Sequence, residues 1–114
     1  MSDCLFCDII EGKTKAKMVY QNELVVAFND IGPKAPVHIL IIPRKHIAGV
    51  LDITEDDGAV IAEVFRVAAR LAGELGIADR GFRVVVNSGP DSGQSVFHLH
   101  YHLLGGRQMS WPPG

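Results

Sequence analysis

The sequence has little of what would commit it to a membrane, a nucleic acid or a disulfide framework. In its 114 residues the longest apolar run, VHILIIP at 37–43, already contains a histidine. It falls far short of the ~20 residues that span a bilayer. The opening MSDCLFCDII has no basic region ahead of a long apolar stretch, so neither a secretory signal nor an anchor is expected and a cytoplasmic location is. Positive charge is not in excess either, with 11 Lys and Arg against 13 Asp and Glu and a net charge of −2. Such a balance cannot screen a nucleic-acid backbone or hold an anionic lipid surface, which turns the search toward a small ligand. Only two cysteines occur, Cys4 and Cys7. In a reducing compartment such a pair serves as ligands or as core rather than as a structural disulfide. The length suits a single domain, residues 1–114, with one modest core, and no repeat or linker interrupts it.

The elements follow from periodicity and punctuation. Ser2 or Asp3 caps a short helix with Leu5, Phe6, Ile9 and Ile10 on one face, stopped by Gly12. MVYQ and LVVAFN, separated by Asn22-Glu23, read as a hairpin, and VHILIIP as a third strand. Thr54-Glu55-Asp56-Asp57 resembles a capping box and opens a long helix from Glu55 to about Leu75. Its apolar positions are Val60, Ile61, Val64, Phe65, Ala68, Leu71, Ala72 and Leu75, with Gly76 as the cap. GFRVVVN and VFHLHYHLL are two more strands joined by SGPDSGQS. The order α-β-β-β-α-β-β predicts an α+β domain with an antiparallel sheet covered by the helices on one side.

The stretch HLHYHLL, residues 98–104, sets three histidines at every second position. In a strand over 96–104, alternation sends His98, His100 and His102 to one face and Leu99, Tyr101 and Leu103 into the core. Same-face neighbours lie about 6.7 Å apart and the outer pair about 13 Å, against about 2.1 Å for a zinc–nitrogen bond, so the three cannot share a metal without a sharp bend. Nor can all three be cationic side by side at neutral pH, which leaves neutral imidazoles able to act as nucleophile, acceptor or ligand. The plain alternative is a surface row of titrating histidines. Asn87-Ser88-Gly89-Pro90-Asp91-Ser92-Gly93-Gln94-Ser95 precedes the row. Its glycines permit close backbone approach, successive amides form an anion-holding concavity, and Asn87, Gln94 and Ser95 add donors; by itself such a loop is also an ordinary turn.

The row, with NSGPDSGQS before it and GGRQMSWPPG after it, resembles the histidine triad (HIT) superfamily, and most closely its Hint branch of nucleotide-binding hydrolases. Asn29-Asp30-Ile31, the segment HILIIPRKHI and the N-terminal CLFCDII extend the resemblance over nearly the whole chain. It implies a HIT-like fold, with a five-stranded antiparallel sheet, a short N-terminal helix and a long central helix. It also implies hydrolysis of the P–N bond of purine nucleoside phosphoramidates through a nucleotidyl intermediate on His100. His102, His38, Asn87, Gln94, Ser95 and the backbone of Gly93 would then spread the developing charge without a metal or other cofactor at the phosphate. Ser95, by similarity, lies near the leaving group. Asp30 suits the paired hydroxyls of a ribose, and Leu5, Phe6, Ile9, Phe28, Ile31 and Leu40 are by family position the purine slot. Asn29 stands where close relatives carry histidine. Cleavage of dinucleoside polyphosphates, nucleotidyl transfer, or a zinc-stabilised nucleotide sensor without turnover are the competing functions.

Cys4-x-x-Cys7 has three readings: a redox pair, which normally follows a strand and here does not; two small residues packed in a helix; or half of a site completed by His46 and His98. The last is a Cys₂His₂ set suited to structural zinc, as in several bacterial members of the superfamily, and it leaves His100 without a metal. Trp111, between Ser110 and Pro112-Pro113, is poorly placed for its own core. The resemblance implies a C₂ homodimer whose sheets join into ten strands, with each tail, residues 105–114, reaching toward the partner's active site.

Overall fold

The computed structural model describes residues 3–114. Chain order is helix α1 (Leu5–Ile10), strands β1 (Met18–Gln21), β2 (Val25–Asn29) and β3 (Val37–Pro43), helix α2 (Gly58–Glu74), and strands β4 (Phe82–Val86) and β5 (Tyr101–Gly105). The five strands form one antiparallel sheet in the order β1-β2-β3-β5-β4. The last strand thus enters the middle of the sheet, between β3 and β4, and so brings His102 beside the strand that carries His38. Apolar runs in β2 and β3 match this position, because these strands are covered on both faces. The outer strands β1 and β4 are largely exposed or half-buried.

Alternation divides the sheet's side chains into two layers. Val25, Ala27, Ile39, Ile41, Tyr101 and Leu103 face α2 and pack with its Val60, Val64, Val67, Ala68, Leu71 and Ala72. Burying each Val or Leu here contributes about 1.5–3 kcal/mol. Val26, Phe28, Leu40 and Ile42 face the other way and pack with Phe6 and Ile9 of α1. The helices therefore lie on opposite faces, not on one side as the element order predicted. A six-residue helix with one apolar edge satisfies either face, and only tertiary contact decides which.

Four local expectations change. Ser2 lies outside the described residues, and α1 is capped by Cys4, whose Sγ accepts the Cys7 amide at 3.3 Å. The long helix opens with a 3₁₀ turn, Glu55–Asp57, before α2 proper. Its capping box is present: Asp57 accepts the Thr54 amide at 2.9 Å. The same carboxylate receives Lys45 Nζ at 2.7 Å, which with the Thr54 amide holds it below the usual carboxylate range. Phe65, assigned to the core by periodicity, is 49% exposed and rests edge-on against Tyr101 with centroids 5.6 Å apart.

The fourth change concerns the histidine row. Regular strand begins only at Tyr101, and residues 96–100 lie outside the ladder. The reason sits in β3, which ends at Pro43 and has no amide there to extend the pairing. The loop after Pro43 clasps the segment instead. The Leu99 amide donates to the Ile47 carbonyl at 2.6 Å, and Gln94 Nε2 to the Ala48 carbonyl at 3.0 Å. Alternation survives without the ladder: Leu99 enters the α2 core, while His98 and His100 are buried on the α1 side.

Candidate active site and metal centre

A cleft of about 630 Å³ lies on the α1 face of the sheet. Its apolar wall consists of Leu5, Phe6 and Ile9 from α1 with Phe28, Ile31 and Leu40, and its polar side includes Asp30, Ser95, His100 and His102. Phe6 meets Phe28 and His100 edge-on, at centroid distances of 5.6 and 5.0 Å. Ile31 is fully exposed at the rim.

Hydrogen-bond partners determine each imidazole's tautomer, since a carbonyl only accepts and an amide only donates. His100 Nδ1 lies 2.7 Å from the His98 carbonyl and donates to it. The proton of a neutral His100 is thereby fixed on Nδ1, and Nε2 keeps its lone pair. His38 Nδ1 accepts the Lys34 amide at 3.0 Å, so a neutral His38 carries its proton on Nε2. That Nε2 is 2.9 Å from His102 Nδ1 and 3.3 Å from Asp30 Oδ2. His102 Nδ1 accepts, which leaves the His102 proton on Nε2, a buried atom without a protein partner among the described residues. Burial, then His100 and His38 nearby, lowers the pKa of His102 to about 4. Burial also lowers that of His38, against the opposing pull of Asp30. Both shifts favour the neutral rings.

Asp30, His38 and His102 place ligand-type atoms close together. They do not make a metal site with these tautomers, because His38 Nε2 bears a proton. The two imidazoles form a directed pair, His38 donating to His102, with the Asp30 carboxylate beside the donor.

The second cluster is of a different kind. His98 Nε2 donates to the Pro43 carbonyl at 2.8 Å, which frees the Nδ1 lone pair. That Nδ1 stands 3.3 Å from Cys4 Sγ, 3.6 Å from Cys7 Sγ and 3.2 Å from His46 Nδ1, and His46 Nδ1 is 3.3 Å from Cys7 Sγ. Tetrahedral zinc with Zn–S near 2.3 Å and Zn–N near 2.05 Å requires edges of about 3.6 Å for S···N and about 3.3 Å for N···N. The four donors fit that ion in identity and in the spacings given, and His98 fits it in protonation as well. His98 joins the cysteines while His100 stays in the cleft, so the histidines of the row do not have to share one metal.

Other residues of the 87–95 loop behave differently. Gln94 uses its side-chain amide within the loop, with Oε1 accepting the Gly89 amide at 2.9 Å and Nε2 donating to the carbonyls of Ala48 and Val96. Gly93 takes a left-handed conformation, φ 85°, after the 3₁₀ turn Pro90–Ser92. Asn87, Gly93 and Gln94 do not line the cleft. Trp111 is 82% exposed and also outside it. Conversely, Thr14–Lys17 and Val96 form part of the wall and were not singled out from the sequence. The alternation of Lys15 and Lys17 with Ala16 just before β1 is the one signal that points to them.

No helix among the described residues is long and apolar enough to cross a membrane. The HIT domain family matches residues 11–109. An uncharacterized HIT-like protein from Synechocystis is 46% identical over 98% of this chain and 97% of its own. A 14 kDa zinc-binding protein from Zea mays is 45% identical over 99% of this chain and 89% of its own. The crystal structure of a HIT family hydrolase from Legionella pneumophila superposes with a TM-score of 0.96 at 47% identity, covering 98% of this chain and all of the other.

Proposed function

The chain belongs to the HIT domain family, and on that premise we propose that it is a purine nucleoside phosphoramidase of the Hint type, working through a nucleotidyl-histidine on His100. The observation that carries the reading is the pair of opposed tautomers. His100 has a lone pair on Nε2, and His102 an unpartnered proton on Nε2, in one cleft with an apolar wall and a carboxylate.

The chemistry balances with these groups. His100 Nε2 attacks the α-phosphorus and the P–N bond breaks. The departing amine takes a proton from solvent relayed by the exposed Ser95 hydroxyl, and the adducted imidazole keeps its Nδ1 proton on the His98 carbonyl. His102 Nε2–H donates to a phosphoryl oxygen as charge builds, with His38 Nε2–H holding the ring in that tautomer. Water then attacks phosphorus and gives up a proton to solvent by way of Ser95, the N–P bond breaks, and the nucleoside monophosphate leaves as His100 returns to its neutral form. Asp30 accepts from the ribose hydroxyls, and the slot between Phe6, Ile9 and Phe28 takes the base. Gln94 supports the loop that leads into Ser95, and Asn87 and Gly93 belong to that same loop outside the cleft wall. The test is comparative turnover: AMP release from adenosine 5′-phosphoramidate should exceed cleavage of a dinucleoside polyphosphate, and the reverse order would assign the chain to another HIT reaction.

Zinc held by Cys4, Cys7, His46 and His98 is the proposed cofactor, structural because protein fills all four positions; when bound it supplies a cross-link between α1, the loop after β3 and the catalytic segment. The maize relative's name and the fit of the donors support it. The proposed assembly is a cytoplasmic homodimer. The half-exposed edge strand β4 and the exposed Phe65, Phe82 and Val86 support pairing through β4 and α2. Arg83 holds the tail by donating to the Ser110 carbonyl at 3.0 Å, and the exposed Trp111 beyond it is available to such a partner.

A further inference from the structure

The loop between β2 and β3, residues 30–36, supplies the amide that sets the direction of the His38–His102 pair, and the turn that follows β5 holds this loop from outside the cleft. Lys34 is gripped at both of its peptide groups. Its amide donates to His38 Nδ1 at 3.0 Å, and its carbonyl accepts from Arg107 Nε at 2.9 Å. Resting on the phosphoramidase reading for its catalytic consequence, we propose that Arg107 is a positioning residue. Through Lys34 it fixes the tautomers of His38 and His102, although it lines no part of the cleft.

The turn is fitted against the loop. Gly105, the last residue of β5, pairs with Val37 at the start of β3, so the chain leaving one strand runs beside the chain entering the other. Gly106 follows with φ 92°, and a Cβ there would come within 2.9 Å of Pro36 Cβ. Only glycine meets both conditions. Arg107 Nη1 donates to the Gln108 carbonyl at 3.2 Å, which steadies the guanidinium within the turn while Nε reaches Lys34. At its other end the loop is closed by Asp30, whose Oδ1 accepts the Gly32 amide at 2.8 Å.

Direction matters because a pair of neutral imidazoles can run either way. With the Lys34 amide in place His38 Nδ1 accepts, His38 Nε2–H donates to His102 Nδ1 at 2.9 Å, and the His102 proton lies on Nε2. Withdrawing the amide permits the reverse arrangement, with both protons on Nδ1 and none on His102 Nε2. Asp30 Oδ2, 3.3 Å from His38 Nε2, opposes that reversal. Loss of Arg107 therefore shifts the two populations without inverting them.

Imidazole nitrogen chemical shifts of the isotope-labelled full chain, as purified, read these tautomers directly. In the wild type His38 and His102 should each show a protonated Nε2 and an unprotonated Nδ1. Arg107→Met keeps an apolar stem and removes the donors. It should raise the minor, Nδ1-protonated population of both rings and speed hydrogen exchange of the Lys34 amide by about fivefold, the weight of one net hydrogen bond. Arg107→Lys, which keeps a donor, should restore part of both effects. With adenosine 5′-phosphoramidate, kcat should follow the fraction of His102 protonated on Nε2 across the three proteins while KM stays constant. Unmoved rings in Arg107→Met overturn the positioning role, even if turnover or the melting temperature falls. Rings that shift while kcat does not follow uphold the positioning role and count against His102 as the proton donor of the phosphoramidase reading.

Discussion

His100 donates its Nδ1 proton to the backbone carbonyl of His98, 2.7 Å away, while the side chain of His98 turns its own Nδ1 into the cysteine cluster. Two residues apart, one ring thus completes a metal-type site and the other is held with its lone pair in the cleft. The peptide between them links the two.

Zinc content follows from that arrangement. Protein purified without chelators should contain stoichiometric zinc by elemental analysis, and Cys4→Ala or Cys7→Ala should bring it to background and lower the melting temperature. Ligation requires deprotonated donors, so affinity should fall in acid. Zinc-free protein that shows no thermal shift on adding the ion would leave the cysteines as packing residues.

The donor chain predicts unequal losses in activity. His102→Ala should lower kcat by about 10²–10³-fold, the cost of removing a donor that meets transition-state charge. His38→Gln should cost less, because it acts through His102. Equal kcat values for His102→Ala and the wild type would remove His102 from the chemistry.

Stability should depend on pH through His102. Its folded pKa, about 4, lies below the ordinary 6.5, so between those values the unfolded chain binds a proton that the folded chain does not. Stability therefore falls as pH drops from about 6.5 toward 4, and His38, also lowered, adds in the same direction. Urea titrations across this range should show the slope, and His102→Gln should flatten it.

Gln94 gives a stability prediction instead of a catalytic one. Removing its amide leaves the half-buried Gly89 amide and Ala48 carbonyl without their partner, and Gln94→Ala should cost about 1–3 kcal/mol by denaturant unfolding.

Much of this was legible in local pattern. The strands, the start of the long helix at Thr54–Asp57 and the split of 98–103 into histidines and core residues depend on neighbouring side chains, and periodicity reports those. What the pattern could not report is long-range. The row leaves the ladder because Pro43, on another strand, has no amide. Gln94 faces the loop because Ala48 lies within reach. Phe97 stays outside the core although its parity with Leu99 says otherwise. The tautomers depend on the Lys34 amide and on the Pro43 and His98 carbonyls, none of which has a side-chain signature.

The central claim is the covalent step on His100. Rapid-quench mass spectrometry during turnover of adenosine 5′-phosphoramidate should find the protein heavier by one adenylyl group, and peptide mapping should place it on His100. His100→Ala should form no adduct and lose at least about 10³-fold in turnover. An adduct on another residue, or wild-type turnover in His100→Ala, would contradict the account.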